Sequence, residues 1–446
     1  GGFVDDEGII DLDQTPGDII ILSAADTSLA ALSEGARRFY QQLYRDVSLS
    51  DTGDSVEKVE QEVKEASEEP NSTPAIRLAN WMQLLKPAAY DLYEYKVLEQ
   101  AELVVLSLLG GQNYWEYGFE RLVDWSKSQT PSGRARQLII VPGDDTPDPE
   151  LFSASTQDLN TCQKVWRYLR QSGIENSENL LRFLTQEVLL GNGWTPEFCL
   201  QSEQTSFDQK QTTYLQQWQE PRVLPNAMRY FPTAGREGSK SEPQDSELFQ
   251  SSEPFQNSAL FQGSGLSQKT CLLLFYRSHL QSANTDVFDG LMSALQAQGL
   301  NPVAVAIASL KDDESVAMVN HLAEQHDARL IINTTGFASN RVDSPDLSSE
   351  PTELASPFER QIPVLQLVLS GSTEQDWQQH SQGLRSRDIA MQVVLPEMDG
   401  RVITRAVSFK AESWFDPRCQ VSVVSYQLHQ ERANFIAELA PRYCQL

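Results

Sequence analysis

Residues 271–307 read CLLLFYRSHLQSANTDVFDGLMSALQAQGLNPVAVAI. Cys271 to Tyr276 is a short apolar run with the character of a buried strand. A helical pattern follows, with Phe288, Leu291 and Leu295 recurring on one side. Asn284 or Thr285 stands at its start as a candidate cap, and Gly299 at its stop. After Pro302 a second apolar run, Val303 to Ile307, completes a β-α-β unit, whose strands are expected to be parallel and its crossover right-handed. Ligands of such sheets gather at the carboxyl ends of the strands. Here that end carries Tyr276, Arg277, Ser278 and His279.

The same rhythm extends in both directions. Upstream, Asp18–Ser23, Leu103–Leu109 and Leu138–Val141 read as buried strands. Ala24–Tyr44, Leu92–Gln100, Tyr117–Trp125 and Leu159–Leu190 read as helices, and Ile76–Leu85 as a mixed apolar segment. Downstream, Ser315–Gln325 reads as a helix. Arg329–Ile332, Val364–Leu369 and Met391–Leu395 read as strands, Val402–Phe409 as a further strand set antiparallel to its neighbour, and Gln430–Leu439 as the last helix. Strands alternating with helices predict two doubly wound, mainly parallel α/β domains. Their expected bounds are 1–200, with an acidic solvated insert at 51–70, and 270–446. Residues 201–269, rich in Ser, Gln, Glu and Pro, are expected to be a mobile linker with Leu224–Pro232 as a docked exception.

Composition excludes several classes. The chain has 446 residues, 40% of them hydrophobic, which is enough for large cores. A net charge of −27 argues against nucleic acid or an anionic membrane as the main partner. No apolar run approaches the roughly 18 residues of a spanning helix. With no signal-peptide pattern at its start, the chain reads as cytoplasmic. The cysteines, at 162, 199, 271, 419 and 444, never form a CxxC pair and read as reduced thiols.

Short motifs fail when their mechanics are applied. Residues 263–270, GSGLSQKT, approach a phosphate-binding loop, but Gln268 replaces the second glycine and the segment precedes a strand. His321 and His326 are five residues apart, about 140° around a helix, so they cannot share one metal ion. Gly110-Gly111 is not a dinucleotide fingerprint. What remains is the set of strand-end loops at 277–279, 333–336, 370–372 and 396–401. They can be ordinary turns, with Arg277 paired to Glu397. They can also be one pocket holding a base, a carboxylate pair and an anion-binding arginine.

At these loops, and along AELVVLSLLGGQNYWEYGFERL from Ala101, LIIVPGDDTPDPEL from Leu138, VWRYLRQSGIENSENLLRFL from Val165, the stretch from Leu272, VLQLVLSGS from Val364 and LRSRDIAMQVVLPEMDGRVITRAVSFK from Leu384, the chain resembles a known family. This is the family of the aerobic cobaltochelatase large subunit (CobN) and the magnesium chelatase H subunit. The likeness spans nearly everything outside the two polar inserts. It corresponds to roughly the N-terminal third of such a subunit, so the chain alone is expected to be inactive.

The resemblance implies ATP-dependent insertion of cobalt(II), as substrate, into hydrogenobyrinic acid a,c-diamide in cobalamin synthesis. ATP and Mg²⁺ would sit on AAA+ ATPase partner subunits, beside a von Willebrand-type co-subunit. His279 and Glu397 are the candidate metal ligands and, with Asp399, the candidate catalytic groups, since nitrogen and oxygen donors can pass on Co²⁺ and accept ring protons. Arg277, Asn284, Asn333 and Arg401 are the candidate tetrapyrrole-binding residues, the arginines through carboxylates on the ring. Other readings are a magnesium chelatase H-type subunit acting on protoporphyrin IX, a non-catalytic tetrapyrrole-docking module, and a sensor of metal or ring.

Overall fold

In the computed structural model the described residues are 10–51, 73–144, 146–195, 216–232, 269–336, 357–379, 381 and 383–445. They divide into two compact units. One comprises Gly1–Val223 with Ser413–Val423, the other Leu224–Glu412 with Val424–Leu446. Ser413–Val423, expected in the second domain, therefore belongs to the first unit. Most of the expected linker (201–215 and 233–268), the acidic insert beyond Asp51, Cys199 and nearly all of residues 263–270 lie outside the described residues.

The first unit is built on a parallel sheet of β1 (Ile19–Ser23), β2 (Ile76–Asn80), β3 (Leu103–Leu108) and β4 (Gln137–Pro142), in the order β2-β1-β3-β4. β1, β3 and β4 are buried along their whole length, as their unbroken apolar sequences require when both faces are covered. Leu29, Leu32, Ala36 and Phe39 of the helix Asp26–Asp51 join Ile19, Ile21 and Val105 in one core. The same helix meets the helix Ile174–Phe183 across Gly35, where a Cβ would stand 2.6 Å from Ser177 Cβ and 2.8 Å from Glu178 N. Only a residue without a side chain permits that approach.

The second unit carries β5 (Ala227–Tyr230), β6 (Thr270–Tyr276), β7 (Asn301–Ile307), β8 (Leu330–Asn333), β9 (Val364–Leu369) and the greater part of β10 (Val402–Asp416) and β11 (Val421–Leu428), whose ends at Ser413–Asp416 and Val421–Val423 belong to the first. Their order is β11-β10-β9-β8-β6-β7-β5. β6 pairs with β7 in parallel register, as the opening stretch predicts, and with β8 in parallel on its other edge. Phe275 stacks on Phe288 of the helix Asp286–Ala297 at 4.0 Å between centroids. Thr285 holds the cap position of that helix without a side-chain hydrogen bond. The docked exception is a real strand, because β5 adds antiparallel to β7.

Two expectations are corrected. Met391–Leu395 is not a strand. It lies in helical turns running from Ser386 to Met398, with a π-turn at Ala390–Val394. A short apolar run does not distinguish helix from strand, and β8 and β10 already occupy both edges of β9. β10 is parallel to β9, not antiparallel, because a helical crossover rather than a tight turn joins them. β11 was not foreseen. Among the described residues no helix is long and apolar enough to cross a membrane.

Gly35→Ala should lower stability by about 1–3 kcal/mol through overpacking. Thermal denaturation checks this, and an unchanged midpoint would mean that the two helices are not in close contact.

Candidate functional site

Side-chain alternation sorts the sheet-end residues of the second unit onto two faces. Leu273, Phe275, Ile332, Leu365 and Leu367 point into one core, together with Phe288. Leu272, Leu274 and Ile331 point into the opposite one. Tyr276, Asn333 and Gln366 follow the parity of this second face. The Ala390–Val394 turn lies on it too, since Val393 packs against the Val368–Ala406 cluster and Val368 shares the parity of Gln366.

On that second face a buried polar chain links β8, β9 and the turn that leads into β10. Asn333 Nδ2 donates to Gln366 Oε1 at 2.7 Å and to Thr335 O at 3.1 Å. Gln366 Nε2 donates to Thr335 O at 2.9 Å. Arg401 Nη1 donates to Gln366 Oε1 at 3.0 Å, and Nη2 to Asp399 Oδ2 at 2.9 Å. The Arg401 and Asp399 side chains are each 3% exposed. Burial pushes the Arg401 pKa down, with Asp399 and then Tyr276 opposing that shift. Burial likewise pushes Tyr276 up to about 12 against the pull of Arg401, and its hydroxyl donates to Gly336 O at 3.0 Å.

The structure thus brings Asn333, Asp399 and Arg401 together, but not as an open pocket. Arg401 was expected to grip ring carboxylates. Its donors go instead to Gln366 and Asp399, and the arginine ties down the turn that carries Pro396–Gly400. The helical turns that lead into it expose Glu397 and present Val394 and Met398 at 45% and 59% exposure. Val394 and Met398 are four residues apart, the spacing of neighbours on a helical surface. Beside it Asp388 Oδ2 accepts from Gly371 N at 2.9 Å and Ser370 Oγ at 3.2 Å, fixing the loop at the end of β9.

His279 lies elsewhere. It belongs to the short helix Arg277–Gln281 and packs edge-on to Phe288 and Tyr426, at 5.1 and 5.2 Å, on the Phe275 face. Its Nδ1 is buried without a hydrogen-bond partner among the described residues. The expected shared cavity of His279 and Glu397 at the carboxyl ends of neighbouring strands does not fit this geometry: His279 follows β6 and is buried against Phe288 and Tyr426, whereas exposed Glu397 stands in the turn that leads into the amino end of β10. Asn284 serves the same packing: with its amide turned to satisfy both groups, it donates to Tyr426 O at 3.3 Å and accepts from Tyr426 N at 2.9 Å. Arg277 Nη1 donates to Leu224 O at 3.0 Å and Pro225 O at 3.2 Å, fastening the approach to β5. Gln366 was missed, although a glutamine inside the apolar run VLQLVL is a signal, since a buried amide must find partners. No group of three or more His, Cys, Asp or Glu side chains suited to a resident metal occurs among the described residues.

The sequence profile of the CobN/Magnesium Chelatase family matches residues 166–446. The aerobic cobaltochelatase subunit CobN of Pseudomonas aeruginosa is 36% identical over the whole chain, which covers 29% of that protein. The subunit of the same name from Sinorhizobium sp is 30% identical over 99% of the chain and 28% of its own length. Among solved structures, the catalytic subunit of cobaltochelatase from Mycobacterium tuberculosis is similar over 96% of this chain and 27% of its own, with TM-score 0.51 and 22% identity. The chain spans less than a third of these relatives.

Burial, and secondarily Lys410, push the His279 pKa from 6.5 down to about 4. The folded value is below the unfolded one, so the unfolded chain binds the proton more readily between these pH values. His279 therefore costs nothing above about pH 6.5, and stability falls by on the order of 3 kcal/mol as pH drops towards 4. Urea denaturation at pH 7 and pH 5 should show a smaller difference for His279→Phe than for the parent. Equal pH dependence would mean that this imidazole is not buried in neutral form.

Proposed function

The chain belongs to the CobN/magnesium chelatase family, and on that premise we propose that it works as part of a cobaltochelatase large subunit. The reaction is insertion of Co²⁺ into hydrogenobyrinic acid a,c-diamide in cobalamin synthesis, in the cytoplasm. ATP and Mg²⁺ are handled by AAA+ partner subunits, with a von Willebrand-type co-subunit. Cobalt is favoured over magnesium because the Pseudomonas aeruginosa and Sinorhizobium sp relatives, which match 99–100% of this chain, carry the cobaltochelatase name.

One observation carries the residue-level reading. The buried Asn333–Gln366–Arg401–Asp399 chain holds a turn on which exposed Glu397 sits beside exposed Val394 and Met398. A tetrapyrrole-type ring has a broad apolar face and N–H groups near its centre. Laid on Val394 and Met398, it buries their surface. Each ring N–H that is broken leaves its electron pair for Co²⁺ and its proton for a base, and Glu397 is the carboxylate we assign to accept it. Arg401, Asp399 and Asn333 act as positioning residues: they hold the turn and do not touch the ring.

The test has two arms. Met398→Asp should weaken ring binding by the isolated chain, measured by absorbance titration without metal, roughly ten- to a hundredfold. In the complete subunit with its partners, Glu397→Gln should slow cobalt insertion while leaving ring affinity unchanged. Normal ring affinity in the first variant together with normal insertion in the second would remove this turn from the reaction.

A further inference from the structure

His429 occupies the cap position of the helix Gln430–Tyr443, yet its side chain makes no capping hydrogen bond. Its Nδ1 is buried without a partner among the described residues. Its Nε2 faces Glu374 Oε1 at 3.6 Å, with the two side chains 21% and 49% exposed. Glu374 opens the short helix Glu374–Gln379, just beyond the Ser370–Ser372 loop at the end of β9. His429 is anchored to the neighbouring strand by its N–H on Val407 O at 2.8 Å. Both residues therefore stand at the carboxyl end of β9, the side where a parallel sheet presents its ligand sites.

The separation is informative. At 3.6 Å the pair is too far apart for a proper hydrogen bond. It is close to the bite of a four-coordinate ion: bonds of about 2.0–2.1 Å at the tetrahedral angle put two donors about 3.4 Å apart. A hydrogen bond orients the carboxylate, and an aromatic ring lies beside the imidazole. Gln378 Nε2 donates to Glu374 Oε1 at 2.9 Å, and the imidazole packs against the Phe409 ring at 6.1 Å. The Arg432 guanidinium is engaged elsewhere, over the Trp377 ring and on Ala406 O.

We propose that His429 and Glu374 form a two-point site for a divalent cation on its way to the ring, with water completing the coordination shell. The inference rests on the metal-insertion reading and adds the place where the ion waits. Binding exchanges two waters of the aquated ion for imidazole Nε2 and a carboxylate oxygen. The imidazole proton then sits on Nδ1, and no electrons are transferred. Two nitrogen and oxygen donors hold Co²⁺ without trapping it, as a thiolate cage would.

Titrating the chain with Co²⁺ alone, followed by calorimetry and visible absorption, tests the site without ring or partners. One Co²⁺ per chain should bind, with affinity at least about tenfold weaker in His429→Ala and in Glu374→Gln. Both side chains reach solvent, so these variants should keep the parent's circular dichroism, and His429→Gln should repeat the loss. Glu438→Gln, on the exposed side of the last helix, should bind as the parent does. No uptake of Co²⁺ by the parent chain, or parental affinity in both His429→Ala and Glu374→Gln, would overturn the proposal. The ring-binding measurement of Met398→Asp contains no metal, so each reading can fail without the other.

Discussion

The sheet end of the second unit depends on one amide. Gln366 has no exposed surface. Its Oε1 accepts from Asn333 and Arg401, its Nε2 donates to Thr335 O and Leu367 O, and its own carbonyl accepts from Thr404 Oγ1 at 2.7 Å. A buried amide left without partners costs about 1–3 kcal/mol, and a buried charge left unpaired costs more. The amide, the Arg401–Asp399 pair and the loop after β8 are therefore interdependent. Exchanging any one of them for an apolar residue strands the others in a low-dielectric interior. This constraint gives the turn at residues 395–401 a fixed position on the sheet.

A fixed turn is useful because its outer side is unusual. Val394 and Met398 are large apolar residues left in water, and Glu397 is exposed beside them. Scattered exposed apolar residues need no explanation, but two of them one helical turn apart on a held segment suit the apolar part of a ligand. A carboxylate in the same turn suits a ligand that must give up protons. Ring support and proton acceptance would then share one short segment, while the His429–Glu374 pair handles the ion.

Much of this fold was legible in the sequence. The unbroken apolar runs of β1, β3, β4, β6 and β7 give parallel buried strands directly, and the Phe288–Leu291–Leu295 spacing gives the helix that covers β6. Less was legible where local pattern and tertiary context part. Met391–Leu395 has the composition of a strand, but both edges of β9 were already taken. β11, with exposed and half-buried residues interspersed, has no run long enough to signal a strand. The candidate site suffered in the same way. Sequence shows that His279 follows a strand, not on which face its ring will lie, and an aromatic cluster formed with distant Tyr426 claimed it. The converse held for Gln366: its position inside an apolar strand was visible, but its partners came from β8 and from the start of β10.

The central claim is that the ring is received at the residue 395–401 turn of the second unit. Hydrogen–deuterium exchange of the chain with and without hydrogenobyrinic acid a,c-diamide tests it most directly. Ring-dependent protection should concentrate in residues 391–402. Protection confined to the first unit's strand ends, around residues 23–26, 80–81 and 109–114, would contradict it.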